Sequence, residues 1–165
     1  MLRSTLLALT LLALAGGAWA QRSFTGVVTH VSDGDSIWVR PATGGAPLAV
    51  RLQGIDAPEA CQAWGPQSRD ALSGRLLHRQ VKVQVHGHDD YDRLLARVEW
   101  AGQDVGRWMV GRGLAWSYRF RRQPGAYDAV QAQARQARRG LWSDPRPLEP
   151  RAFRKRHGAC VPHGG

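Results

Sequence analysis

Lysine is nearly absent from this 165-residue chain: of 23 basic residues, only Lys82 and Lys155 are lysines. Arginine supplies the rest, and 13 acids leave a formal charge of +10. Such an excess favours polyanionic partners, and a guanidinium can grip a phosphate through two parallel hydrogen bonds. Charge alone does not separate a nucleic-acid binder from a protein held at an anionic envelope surface. Long apolar runs are also missing after the first twenty residues, which excludes a later helix across a bilayer. Internal repeats are absent. Cysteine is sparse, with Cys61 and Cys160 alone.

The first twenty residues read as an export signal rather than part of the fold. Arg3 gives a positive start, residues 6–15 are apolar, and Ala18-Trp19-Ala20 has the small-x-small form of a cleavage site. The rival reading is an uncleaved anchor. Cleavage would leave 145 residues, enough for one domain with a core, and removing Arg3 lowers the charge by one. In an exported chain the cysteine pair is expected as a Cys61–Cys160 disulfide, with free thiols as the alternative. Closing a loop of about 100 residues would contribute on the order of 4–5 kcal/mol. It would also bring the C-terminal tail beside Glu59.

Periodicity predicts strands over residues 23–31, 36–40, 48–55, 81–85 and 94–100. Asp33-Gly34 is a hairpin signal between the first two. Helices are predicted over 66–79, where Pro66 suits a first turn, over 105–111, and over 126–139, where Gly140 stops the run. The tail from Pro145 holds three prolines within residues 145–150, then a basic cluster, Arg151, Arg154, Lys155 and Arg156, and reads as poorly ordered except near Cys160. Five strands with helices after the third and at the end are compatible with a small closed barrel.

The chemistry concentrates in residues 50–59. Pro58 ends a packed strand, and Arg51, Asp56 and Glu59 cluster where it stops. Asp35 sits at a second acidic turn. If the second and third strands pair, Asp35 and Asp56 reach one point. Two carboxylates, a backbone carbonyl and water form an oxygen-only set suited to a hard cation such as Ca²⁺. Asp33 adds a carboxylate, although Asp33 and Asp35 also suit a plain turn. Glu59 can take a proton from an attacking water, and Arg51 and Arg93 can offset charge growing on a phosphorus. A surface ion pair with Asp89, Asp90 or Asp92 is the plainer reading of Arg93. Trp38, Trp100, Trp108, Trp116 and Trp142 read as core, and Trp64 as a substrate contact. His86 and His88 read as loop residues rather than metal ligands.

Asp33-Gly34-Asp35-Ser36, Arg51-Leu52, Gly54-Ile55-Asp56-Ala57-Pro58-Glu59, Tyr91-Asp92-Arg93-Leu94-Leu95-Ala96 and Gly113-Leu114-Ala115-Trp116 follow one another in an order and spacing that resembles the staphylococcal nuclease (thermonuclease) family. Gly140-Leu141-Trp142 is similar to the family's closing turn. The resemblance covers nearly all of residues 24–142. It implies an α+β fold, a five-stranded OB-type barrel with three helices. It also implies cleavage of DNA and RNA, with little sequence preference, that leaves 3′-phosphates and depends on one Ca²⁺ ion, with other divalent ions as substitutes. By that match Asp35, Asp56 and the carbonyl of Ala57 bind the cation, Glu59 is the general base, Arg51 and Arg93 clamp phosphate, and Tyr91 lies against a substrate phosphate or base. Asp92 departs from the family's usual glycine and asks an aspartate to take positive φ beside a phosphate clamp. Asp90 stands where the founding enzyme carries a lysine.

The resulting expectation is a signal over 1–20, a nuclease domain over 21–145 and a basic, proline-rich tail over 146–165. The protein is expected to be an exported monomer, periplasmic or secreted, free of the membrane after cleavage, and to prefer single-stranded or frayed nucleic acid. The competing function is a non-catalytic OB-fold module that binds nucleic acid without cutting it. A third reading, an envelope scaffold, leaves the charge constellation unexplained.

Overall fold

Alternating valines and isoleucines build the first half of the barrel. In the computed structural model, which describes residues 23–121, 123–158 and 160, β1 (Ser23–Asp33), β2 (Ser36–Pro41) and β3 (Leu48–Leu52) form an antiparallel meander. Val28, Ile37, Val39 and Val50 point inward and are fully buried, as period-two patterning requires. The expected export signal lies outside the described residues. Among the described residues no helix is long and apolar enough to cross a membrane.

The third predicted strand proves to be two. Gly54 takes φ 81°, a conformation glycine adopts without strain, and the chain turns there. The short β4 (Ile55–Asp56) then leaves the barrel and pairs with β8 (Trp116–Ser117). Ile55 and Asp56 are consecutive and both buried.

After α1 (Gly65–Leu76), β5 (Gln80–His88) and β6 (Leu94–Trp100) make a long hairpin. β5 runs on to His88, past the predicted end at 85. β5 pairs with β1, and β6 returns to lie parallel to β3 through Val50↔Leu94, Arg51↔Leu95 and Leu52↔Ala96. That pairing closes a ring of five strands, which removes the sheet edges and sets the beginning of β6 against β3. The remaining elements are β7 (Gln103–Asp104), α2 (Val105–Gly111), α3 (Asp128–Gln136), a 3-10 turn at Gly140–Ser143 and α4 (Pro150–His157). Leu72 and Leu76 of α1 and Val105 and Met109 of α2 complete the core.

The fold is the expected α+β OB-type barrel, with four helices among the described residues rather than three. The extra helix, α4, forms within the tail that composition marks as poorly ordered. Composition reports only local tendency, and tertiary anchors override it. The Cys61–Cys160 disulfide is formed and joins positions 99 residues apart. Gln62 Nε2 donates to the Leu148 carbonyl at 2.7 Å.

Tyr127 fastens the helical layer to the barrel. Its hydroxyl meets both Asp104 carboxylate oxygens, at 2.9 and 3.1 Å, while Asp104 caps α2 by accepting from the Arg107 N–H at 3.0 Å. Burial, reinforced by Asp104, pushes the phenol up to about 12. A phenol raised in the folded state stabilises fully below its ordinary pKa of 10.0, and that contribution disappears as pH rises to about 12. Tyr127→Phe is therefore expected to lower unfolding free energy at neutral pH by about 1–2 kcal/mol in denaturant titration. It should also lose less stability than the parent across that alkaline window; parallel losses would contradict the assignment.

Candidate active site

Two buried carboxylates, Asp35 and Asp56, share one arginine, Arg51. The β1–β2 turn begins with Asp33, whose Oδ1 accepts the Asp35 N–H at 3.0 Å. Gly34 lets this turn press against the chain beyond β4: a Cβ there would stand 2.7 Å from the Ala57 Cβ and 2.8 Å from the Ser68 Cβ of α1. The close approach delivers Asp35, 1% exposed, to Ala57, whose N–H donates to Asp35 Oδ2 at 2.7 Å. Asp56, 3% exposed, arrives from β4. Arg51, opposite Ser36 in the β2–β3 ladder, joins the two: one nitrogen contacts Asp35 Oδ1 and the other contacts Asp56 Oδ1 at 3.1 Å. Burial raises the Asp35 carboxyl well above the usual carboxylate range, and Arg51 opposes that rise.

The β5–β6 turn supplies the second predicted arginine. Asp89 Oδ1 accepts the N–H groups of Tyr91 and Arg93, both at 3.0 Å, and its Oδ2 accepts Arg93 Nε at 2.8 Å. Asp92 does adopt positive φ, 59°. Burial works to raise the Asp89 carboxyl, but hydrogen bonds from Arg93 and Tyr91 outweigh it and hold it below its usual value. Arg93 is thus both things the sequence left open. It is paired with Asp89, and it also reaches Ser36 Oγ at 3.1 Å, which in turn donates to Asp35 Oδ1.

Glu59 stands just past Asp56, and its carboxylate is held by a residue the sequence did not single out. Arg154 of α4 contacts Glu59 Oε1 at 2.6 Å, Asp56 Oδ1 at 3.1 Å and Asp56 Oδ2 at 3.0 Å. Partial burial disfavours its charge, but the hydrogen bonds it donates to Asp56 and Glu59 more than compensate and raise its pKa. Charges now alternate along one line: Glu59, Arg154, Asp56, Arg51, Asp35 and, through Ser36, Arg93.

All of these groups except Asp35, which lies buried behind Arg51 and Ser36, line an open groove of about 1330 Å³, larger than the 300–1000 Å³ typical of small-molecule pockets. Tyr91 stands at its rim, 82% exposed, with its ring centre 5.3 Å from the Arg93 guanidinium carbon. Trp38, Tyr118 and Phe120 also line the groove and are exposed. Strand parity could have found Trp38, because Ile37 and Val39 face the core and leave Trp38 outside. Trp64 is not in the groove. It precedes α1 with φ 72° and packs against both core clusters, beside a separate hollow that it shares with Pro58, Leu148 and Phe153. A tryptophan near an acidic turn carries no directional signal. For Arg154 the available signal was Cys160, six residues on, with its expected partner two residues after Glu59.

The donors available suit a hard cation. They are all oxygens, two are buried carboxylates, and guanidinium groups already occupy the space between them, so the locus attracts positive charge. Among the described residues no three histidine, cysteine, aspartate or glutamate side chains form a cage. A cation here would complete its shell with carbonyl oxygen and water.

A sequence profile described as "Staphylococcal nuclease homologue" matches residues 49–144. Protein ParB of Escherichia coli is 38% identical over 160 residues, covering 90% of this chain and 88% of that protein. An uncharacterized endonuclease of Haemophilus influenzae is 35% identical over 155 residues, covering 94% and 84%. Micrococcal nuclease of Shigella flexneri is 36% identical over 151 residues, covering 84% and 83%. The chain belongs to the staphylococcal nuclease family.

Arg51 is the cation that both buried carboxylates share. Arg51→Gln should cost about 3–5 kcal/mol of unfolding free energy, because buried Asp35 loses its guanidinium partner while Asp56 keeps Arg154. Adding Asp35→Asn should recover part of that loss, which denaturant titration of the single and double variants measures. A fully stable Arg51→Gln would contradict the assignment.

Proposed function

We propose that this member of the staphylococcal nuclease family is an exported, Ca²⁺-dependent nuclease that hydrolyses DNA and RNA with little sequence preference. The observation that carries the reading is the convergence of Asp56, Glu59, Arg51 and Arg93 on one wall of an open groove, with Asp35 buried behind Arg51 and Ser36. The names of the endonuclease and nuclease relatives support it. So does the arginine-rich composition, which fits a phosphate backbone.

Asp35, Asp56 and the Ala57 carbonyl would hold the ion. When bound, a divalent cation supplies positive charge that offsets the charge growing on the phosphate oxygens. Arg51 and Arg93, released from their carboxylates by substrate, would grip the same oxygens through charge-assisted hydrogen bonds. Glu59 would accept the proton of the attacking water. The new bond runs from that water to phosphorus, and the bond to the 5′ oxygen breaks. The products are a 3′-phosphate and a 5′-hydroxyl. Trp38, Tyr91, Tyr118 and Phe120 offer ring faces to unstacked bases, which favours single-stranded or frayed substrate.

Residues 1–20 would direct export, and the Cys61–Cys160 disulfide supports an oxidising compartment, periplasmic or extracellular. The protein would work as a monomer, free of the membrane. A binding module without catalysis would gain nothing from burying Asp56 at the groove wall with Asp35 behind it, since that costs stability and repels phosphate.

Cleavage of single-stranded DNA is expected to stop in a Ca²⁺ chelator and return with Ca²⁺. Glu59→Gln should lower turnover by about 10²-fold or more. Activity that persists in chelator, or product ends carrying 5′-phosphate, would contradict the mechanism.

A further inference from the structure

The C-terminal helix reaches into the site from a segment almost a hundred residues away in sequence. Three contacts seat it. The disulfide ties Cys160 to Cys61, the buried Gln62 side chain holds the Leu148 carbonyl, and Phe153 lies in the hollow formed with Pro58, Trp64 and Leu148. One turn of helix then presents Arg154 to Asp56 and Glu59. The guanidinium contacts both oxygens of Asp56 at once, in the bidentate geometry that makes the strongest side-chain ion pairs. Arg51 holds Asp56 Oδ1 as well. An arginine seated this way covers the carboxylate oxygens that a divalent cation needs, so the two cannot use Asp56 together without one moving.

We propose that Arg154 is a positioning residue of the site that holds Glu59 and competes with the divalent cation for Asp56, and that the Cys61–Cys160 disulfide sets the strength of this competition by holding α4 against the groove. The inference rests on the cation-dependent reading above and goes beyond it, since it assigns the C-terminal helix to the site. With no cation bound, Arg154 neutralises Asp56 and orients Glu59. A cation that takes Asp56 pushes Arg154 off it. The apparent cation affinity is therefore the intrinsic affinity reduced by the fraction of time Arg154 leaves Asp56 open. The disulfide keeps the local concentration of the arginine high, as a short tether does for any linked ligand. Arg51, which also holds Asp56 Oδ1, and the carboxylates Asp33, Asp35, Asp56 and Glu59 are common to the parent and to every variant below, so a difference in affinity between them reports Arg154.

Calorimetric titration of Ca²⁺ into the full chain without substrate tests this independently of turnover. Arg154→Gln should bind Ca²⁺ about tenfold more tightly than the parent, as expected if Arg154 leaves the site open about a tenth of the time. Arg151→Gln removes the same charge from the exposed side of the same helix and should shift affinity less than about twofold, since bulk charge in water is weakly felt. The Cys61→Ser/Cys160→Ser variant should gain affinity, and gain nothing further when Arg154→Gln is added. Equal Ca²⁺ affinity in the parent and Arg154→Gln overturns the proposal, as does an equal gain from Arg151→Gln. Because Arg154→Gln keeps the disulfide and the core, it reports even if the serine variant fails to fold. If neither the parent nor Arg154→Gln binds Ca²⁺, the cation-dependent reading fails and carries this proposal with it. Binding with unchanged affinity removes this proposal alone.

Discussion

Burying two carboxylates side by side costs several kcal/mol for each unless cations neutralise them, and the site of this protein is arranged around that constraint. Asp35 and Asp56 are both almost wholly inaccessible, and Arg51 bridges them. The supports follow from the same need. Gly34 lets the acidic turn approach Ala57, Gly54 turns the chain so that Asp56 faces inward, and closing β3 onto β6 sets the second arginine turn beside the first. Arg154 completes the neutralisation from outside the barrel. Without substrate, the positive groups that would bind a phosphate backbone are occupied in holding the negative ones.

Much of this was legible in the sequence because strand ends carry local punctuation. Asp33-Gly34 marked a hairpin and Pro58 a stop; Arg51, Asp56 and Glu59 line one groove with Arg93, and Asp35 is buried behind Arg51 and Ser36. The barrel was legible for the same reason, since alternation and turn residues act over a few positions. The break at Gly54 was not, because Leu52 and Ile55 both read as buried strand whether or not the chain turns between them. Trp64 was misplaced in the groove and Trp38 in the core. A tryptophan's type does not fix its side, and for Trp38 only its parity with Ile37 and Val39 does.

Arg154 shows the limit most clearly. Its partners Asp56 and Glu59 lie 98 and 95 residues away, so no window in the sequence contains the interaction. The prolines and basic run of the tail describe a segment that would not fold alone, yet a disulfide, one side-chain hydrogen bond and a shared hollow suffice to order a helix of eight residues. Cys160 was the single legible pointer, and its pairing with Cys61 brought the tail to the acidic turn as expected.

The central claim is that the Asp35–Asp56 locus holds a divalent cation. A crystal structure of the full chain grown with Ca²⁺ and a nucleotide bearing a 5′-phosphate tests it directly. The account predicts one ion about 2.3–2.6 Å from carboxylate oxygens of both Asp35 and Asp56, with Arg51 and Arg93 turned onto the phosphate. An ion bound elsewhere, or none with both arginines still on their carboxylates and the nucleotide in the groove, would contradict it.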